Sequence, residues 1–392
     1  MKLSETSLQS TVSVKAEGWN SPVLGDSRIS VFIPVYKGSE LLEPLLEKLT
    51  CTMPDYGEIF VVVDEPNKES LRIVERYHGK VCFILNNERK GKVEALNSAV
   101  KLSSGQILVF IDADVKVDGD INLWQVVRDA MCDADLIDFK KKIIKDSFIS
   151  RMVNYEYLSS NFASYFFSRL VGKFFGVSGT AFAIKREVFE EVGGFSKVVS
   201  EDLDLAVKTF LRNKRFKYAE KVCVYTKAPS NWKSWLNQRK RWGIGTGLWI
   251  KTHWRKLVAH IVKYPHVALP CAIMIFPAVI PLLLSYVFST VLEVQFHHFV
   301  PVVLAAQLGF AFPQVVHPSL LSIILTGLTN SFIGFLAFST LFYVVSRRFG
   351  LHFNLAEFLV YYLVYQPIAV IVLFIGILST FVSQNYELDW KV

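Results

Sequence analysis

Two carboxylates one residue apart, Asp112 and Asp114, close the apolar run Ile107–Ile111 and are the side chains here best suited to chemistry. Oxygen ligands so spaced suit a hard divalent cation that also takes substrate phosphates. Asp64 closes a second apolar run, residues 58–64, so all three acids belong at strand ends and can face one crevice. Lys92 opens a helical pattern and can turn an ammonium and free backbone N–H groups toward a diphosphate. Further on, Glu201, Asp202 and Asp204 open another helix, where carboxylates favour the positive end of the dipole. Each has a plainer reading: a solvated turn for Asp-x-Asp, a turn former for Asp64, a surface lysine for Lys92. Capping accounts for one acid of the later group but not for three.

These groups need a scaffold that brings strand ends together. Residues 29–35, 58–64, 81–85 and 107–111 read as strands of apolar, mostly β-preferring type. Helical patterns at 39–49, from Pro66-Asn67 to 77, and at 92–102 separate them, with Val93, Leu96 and Val100 on one face of the last. Such alternation predicts βαβ units and a parallel sheet with right-handed crossovers. Ligands bind beyond the carboxyl ends of such strands, where the acids fall. Residues 135–139 read as another strand. The aromatic-rich residues 148–175 fit either an interfacial helix pair or helices packed on the domain. A tight turn at Gly176, Ser178 and Gly179 precedes a short strand and a helix, and residues 203–211 read as a helix.

The chain is 52% hydrophobic, but the apolar excess falls almost entirely after Tyr264, which divides it into two physical regimes. Net charge is +8, and lysine and arginine crowd into residues 227–263, favouring an anionic membrane face over nucleic acid. Five scattered cysteines have neither paired nor metal-ligand spacing and read as reduced packing residues. Residues 1–28 read as a polar arm, neither a signal nor a span.

At Gln238-Arg239-Lys240-Arg241-Trp242 the chain carries Gln-x-x-Arg-Trp, downstream of the Glu-Asp pair and the Asp-x-Asp. This ordered set, over residues 29–252, resembles the membrane family 2 glycosyltransferases related to cellulose, chitin and hyaluronan synthases, and looks most like small archaeal or prokaryotic mannosyltransferases. The resemblance implies an α/β domain of the GT-A (Rossmann-like) fold over residues 29–228 that binds a nucleotide sugar. It implies that Asp64 lies near the base, that Asp112 and Asp114 hold Mg²⁺ or Mn²⁺ on the diphosphate, and that Lys92 and Arg241 contact the donor. Asp202 corresponds to the family's general base, with Glu201, Gln238 and Trp242 on the acceptor side. Serine replaces the family's usual threonine at Ser200, and Val115 stands where some relatives carry a metal-binding histidine, leaving the last metal ligand unidentified.

Residues 229–264 are expected to carry this motif into an amphipathic interface helix, with Trp249, Trp254 and Leu257 interleaved by Lys251, Arg255 and Lys256. Residues 265–392 form the membrane region. Three stretches there, 267–292, 319–345 and 356–382, are long enough to span. A shorter one, 296–312, carries His297 and His298 and reads as re-entrant or interfacial. Three spans put Arg347 and Arg348 on the side of the basic stretch, as the positive-inside rule requires. The expectation is therefore a multi-pass protein of the cell membrane, its catalytic domain cytoplasmic and followed by interfacial helices and a bundle of about three transmembrane helices.

The function expected is inverting, metal-dependent transfer from a nucleotide sugar, GDP-mannose favoured over UDP-glucose and UDP-N-acetylglucosamine, to a lipid-linked glycan or glycolipid. Relatives that thread a polymer through the bilayer carry helices before the catalytic domain, and none is read there, which favours one or few additions over processive synthesis. A polyprenyl-phosphate sugar synthase would not need Gln-x-x-Arg-Trp. An inactive scaffold is disfavoured by retention of Asp112, Asp114, Asp202 and Arg241. Transport is disfavoured because the expected spans contain no lysine, arginine or aspartate.

Overall fold

The computed structural model describes residues 12–14, 28–55, 57–118, 122–264 and 318–382. The chain forms two compact units, one of Met1–Val258 with Ile368–Val392, the other of Ala259–Pro367. The strands of the first are β1 Val12–Val14, β2 Ile29–Tyr36, β3 Glu58–Asp64, β4 Cys82–Asn86, β5 Ile107–Ile111, β6 Val115–Val117, β7 Leu136–Ile144, β8 Ala181–Lys185 and β9 Phe216–Lys227. Among the described residues they make one nine-stranded sheet in the order β1-β4-β3-β2-β5-β8-β7-β9-β6.

The central strands form because their runs are apolar on both faces: all residues of β3 and all of β5 are buried. Burying each large aliphatic or aromatic side chain contributes about 1.5–3 kcal/mol, which sets their register as well as their place. Helices α1 (Leu42–Thr52), α2 (Lys68–Arg76) and α3 (Lys92–Leu102) connect β2 to β5, and β4, β3, β2 and β5 run parallel as the alternation predicts. Asn67 caps α2 by accepting from the Ser70 N–H at 2.8 Å.

Beyond β5 the sheet is mixed, not parallel. Strand β8 is antiparallel to both β5 and β7, and β6 is antiparallel to β9, while β7 and β9 run parallel. The regular alternation ends at Asp112, where the chain turns through a three-residue strand before the next helix, α4 (Leu123–Asp133), so the crossover rule no longer applies. Strands β6 and β9 and helix α4 have no counterpart in the sequence reading. Nor does β1, which pairs antiparallel with β4 from within the segment read as a polar arm.

Residues 148–170 form one long helix rather than a pair, α5 (Phe148–Leu170), packed on β7 and β9 of the domain. Asn161 of α5 meets the edge of β7 as a strand would: its Nδ2 donates to the Lys141 carbonyl at 2.7 Å, and its Oδ1 accepts the Lys141 N–H at 3.0 Å. Then come α6 (Arg186–Glu191), α7 (Glu201–Leu211) and α8 (Trp232–Lys263). Helix α8 runs unbroken from the Gln-x-x-Arg-Trp motif through the stretch expected to be amphipathic.

The second unit contains α9 (Pro318–Phe349) and α10 (Leu355–Val360), joined by aromatic packing such as Phe342 on Phe358 at 4.8 Å between ring centres. A π-helical turn, Tyr361–Tyr365, continues α10 into α11 (Gln366–Val382). Pro367 lacks the N–H that an α-helix needs there, and a widened turn accommodates the loss. Among the described residues, Leu355–Val382 is the helix long and apolar enough to cross a membrane. The expected stretch 319–345 is helical within α9, while 267–292 and 296–312 lie outside the described residues.

Candidate active site

The site is assembled at the carboxyl ends of β3, β4 and β5. Asp64, ending β3, accepts from Asn86 Nδ2 and from the Gly91 N–H, each at 2.8 Å. Gly91 has φ +87°, a left-handed backbone that glycine tolerates, and it is the residue immediately before α3. Asp64 therefore fastens the start of α3, and that start carries Lys92.

Lys92 Nζ lies 2.8 Å from Asp112 Oδ1 and 3.2 Å from Glu201 Oε1. The turn that presents Asp112 and Asp114 is tied at two points: the Asp112 N–H donates to the Thr180 carbonyl at 2.9 Å, and Ser39 Oγ donates to the Ala113 carbonyl at 2.8 Å. Asp202 enters from the first turn of α7. Its Oδ2 accepts the Gly179 N–H at 2.6 Å and its Oδ1 the Leu203 N–H at 2.8 Å. A Cβ at position 179 would stand 2.9 Å from that Oδ2, so glycine is what lets the loop approach the carboxylate. Lys92, Asp112, Gly179, Glu201 and Asp202 line one cleft, walled by Phe110, Phe182 and Phe195.

The electrostatics follow from three acids around one base in the cleft, with the more exposed Asp114 beside them. Burial works against the Lys92 charge, yet Asp112, Glu201 and Asp202 outweigh it and hold the ammonium above its ordinary range. Burial pushes Asp112 up to about 6 against the pull of Lys92, with Asp114 adding to the rise. Burial likewise raises Asp114. Asp202 is raised by burial and then by the charge of Glu201, while Lys92 and the two backbone N–H groups restrain the rise.

The Gln-x-x-Arg-Trp segment sits on α8, whose start is capped by Asn231 accepting the Ser234 N–H at 2.9 Å. Its organising residue is one the sequence reading passed over. Arg239, 2% exposed, pairs through its guanidinium with Glu156 of α5, donates to Gln238 Oε1 at 2.6 Å and lies 4.1 Å over the Trp242 ring. Trp242 itself is 37% exposed. Arg241 makes no ion pair with the cleft carboxylates among the described residues, and the structure does not bring it to them. Tyr157, the neighbour of Glu156, shares a hydrogen bond with Thr180, and burial raises its hydroxyl to about 12. No sequence signal marked Glu156 or Tyr157, because their roles depend on α5 meeting α8 and the Gly179 loop.

The family model for glycosyl transferase family group 2 matches residues 109–382. The chain belongs to that family. It is 26% identical over 240 residues to a probable glycosyltransferase, YdaM, of Bacillus subtilis (strain 168), covering 58% of this chain and 57% of that one. It is 24% identical over 223 residues to a poly-beta-1,6-N-acetyl-D-glucosamine synthase of Staphylococcus aureus, covering 55% and 54%. The chain thus spans about half the length of the curated relatives it matches. Among solved structures, a mannosyltransferase from Pyrobaculum calidifontis in complex with GDP-Man and Mn²⁺ aligns over 67% of this chain and 80% of that one, with a TM-score of 0.46 and 20% identity.

For a family group 2 glycosyltransferase, the donor set can be tested against a divalent cation. Asp112 and Asp114 are hard oxygen donors whose carboxyls burial holds above their ordinary pKa, and a bound cation would favour their charged forms. Two carboxylates completed by phosphate oxygens and water suit Mg²⁺ or Mn²⁺. No group of three or more His, Cys, Asp or Glu is gathered for a metal among the described residues. The residues fit a cation that arrives with its substrate.

Proposed function

We propose that the protein is an inverting glycosyltransferase that moves a sugar from a nucleotide sugar to a lipid-linked glycan or glycolipid at the cytoplasmic membrane face, in N-glycan or glycolipid synthesis. The observation that carries this reading is the convergence of Lys92, Asp112, Glu201 and Asp202 on one cleft of a family group 2 glycosyltransferase. Asp112 and Asp114 would hold Mg²⁺ or Mn²⁺, which when bound neutralises charge on the leaving diphosphate. Lys92 adds a second positive charge to the same leaving group, and α3 offers it backbone N–H groups. Arg241 is assigned to the donor by its place in the motif. Asp64 acts on the donor side by holding Gly91 and so Lys92. Asp202 takes the proton from the acceptor hydroxyl as its oxygen bonds to the anomeric carbon and the bond from that carbon to the diphosphate breaks. The raised pKa of Asp202 suits a base. One displacement without a covalent intermediate inverts the anomeric centre, so an α-linked donor gives a β-linked product.

Glu201, Gln238 and Trp242 form the acceptor side; the exposed Trp242 offers a flat face to a sugar, and Arg239 holds it. The helix Leu355–Val382 is the membrane element of this reading. It leaves Ile371, Phe374, Ile375, Leu378 and Phe381 exposed, an apolar surface suited to lipid. GDP-mannose is the favoured donor because the motif set most resembles archaeal mannosyltransferases. The test is Mn²⁺-dependent transfer by the detergent-purified protein over a panel of GDP- and UDP-sugars with membrane lipids present. One donor turned over, and silence from Asp202→Asn, is the expected result. Long heterogeneous polymer as product would replace this reading by processive polysaccharide synthesis, and no turnover at all would replace it by an inactive scaffold.

A further inference from the structure

The first turn of α7 is gripped from two sides, and one grip lies outside the cleft. Asp204 follows Asp202 by two residues, about 200° around the helix, so it faces the other way. Its Oδ1 lies 2.8 Å from Nε2 of His253 on α8, and its Oδ2 lies 2.7 Å from Lys208 Nζ, which in turn donates to Ser196. Both partners are nearly closed to water: Asp204 is 6% and His253 7% exposed. Burial opposes the Asp204 charge, but hydrogen bonds from Lys208, His253 and Ser196 overcome it and hold the carboxyl below its ordinary value. His253 Nδ1 is buried and has no hydrogen-bond partner among the described residues, so Nε2, which donates to the Asp204 carboxylate, is the ring's tie to α7.

A second contact sets the same register. Gly245 of α8 packs on Ser200, the residue before Glu201, so closely that a Cβ there would collide with the Ser200 side chain. Gly243, two residues earlier, meets α11: a Cβ on Gly376 would stand 2.8 Å from the Lys240 carbonyl and 2.9 Å from Gly243 Cα. Lys251 donates to the Thr380 carbonyl. One helix therefore carries the motif at 238–242, presses on α11, and grips α7 at Ser200 and Asp204. Trp242 and His253 are three turns apart on it, about 16 Å.

We propose that His253 is a positioning residue that locks α8 to α7 through Asp204, so that the acceptor motif and the Asp202 carboxylate are held as one piece on the apolar helix α11. The proposal rests on the reading of Asp202 as base and of residues 238–242 as the acceptor side. His253→Leu keeps the bulk and removes the hydrogen bond; His253→Gln keeps a side-chain N–H donor. Misplacement by about 1 Å is enough to cost on the order of 10²-fold in rate. The expected result is that Leu lowers kcat 10- to 100-fold and raises the acceptor KM, with the Kd of the nucleoside diphosphate within twofold of wild type, and that Gln recovers most of kcat. Asp204→Asn should cost less in the His253→Leu background than in the wild type, the remainder being its pair with Lys208. Gly245→Ala, which pushes the same two helices apart, should produce the same kcat loss. Hydrogen exchange at the amides of Leu203 to Leu205 reads the lock without turnover: Leu accelerates it and Gln restores it. A His253→Leu enzyme with kcat within twofold of wild type, or with unchanged exchange at those amides, overturns the proposal. An inactive wild type defeats the functional reading instead, and exchange then decides the lock by itself.

Discussion

Two clusters of buried charge lie on the same sheet and differ in one respect. Between α5 and β7, Asp138 faces Lys141, each 2% exposed, with Ser164 Oγ donating to the other carboxylate oxygen at 2.8 Å. One charge meets one charge, and Lys141 Nζ also donates to the Phe139 carbonyl at 3.2 Å. At the cleft, Asp112, Glu201 and Asp202 gather around the ammonium of Lys92, with Asp114 beside them drawn also by Lys227. A balanced pair serves the fold. An unbalanced group is held in place by surrounding structure and is completed by something that arrives, which is the requirement of a cation bound with a diphosphate.

The sharpest way to break this contrast is Asp202→Asn. It should lower transfer on the order of 10³-fold, measured as product formed per enzyme, while the nucleoside diphosphate still binds. Undiminished transfer would strip the cleft of its chemistry. Next in size, Lys141→Met should destabilise the protein by about 3–5 kcal/mol in denaturant unfolding because it strands a buried carboxylate, and adding Asp138→Leu should restore most of that loss. Lys92→Met, at the open cleft, should cost about 1 kcal/mol; equal losses for the two lysines would erase the distinction.

The pH dependence carries a definite sign. Asp112 titrates at about 6 when folded against an ordinary 3.8, so between those values the folded state holds more protons and stability falls as pH rises. Asp112→Asn removes this slope, and its unfolding free energy should gain on the order of 2 kcal/mol on wild type between pH 4 and pH 7.5. A constant gap between the two proteins across that window would show that Lys92 neutralises Asp112 fully. The smallest effect is expected from Ser39→Ala, which frees the Ala113 carbonyl: about 1 kcal/mol of stability and a few-fold weaker Mn²⁺ activation.

Much of the scaffold was legible because its signals are local. Residues 58–64 and 107–111 announce strands by unbroken apolar runs, and α3 begins and ends where its periodicity does. Strand β9 was not legible: its order FKYAEKVCVYTK mixes charge into a strand that pairs with β7 across an irregular register at Phe139 and Lys140. The Asp-x-Asp, Glu-Asp and Gln-x-x-Arg-Trp residues stand out by type and order. Their supports do not, since Glu156 and His253 look like any polar residue of a long helix until the helix that faces each is known.

The sequence by itself determined the family, the parallel half of the sheet and the strand-end positions of Asp64 and Asp112, because periodicity and motif order are properties of neighbouring residues. Only the tertiary structure decided that β8 reverses direction, that Asp64 holds Gly91, that Arg239 supports Trp242 and that His253 grips Asp204. Those contacts join residues that share a place only after the core has closed, and burial then makes each unmatched charge or hydrogen bond costly enough to fix its partner.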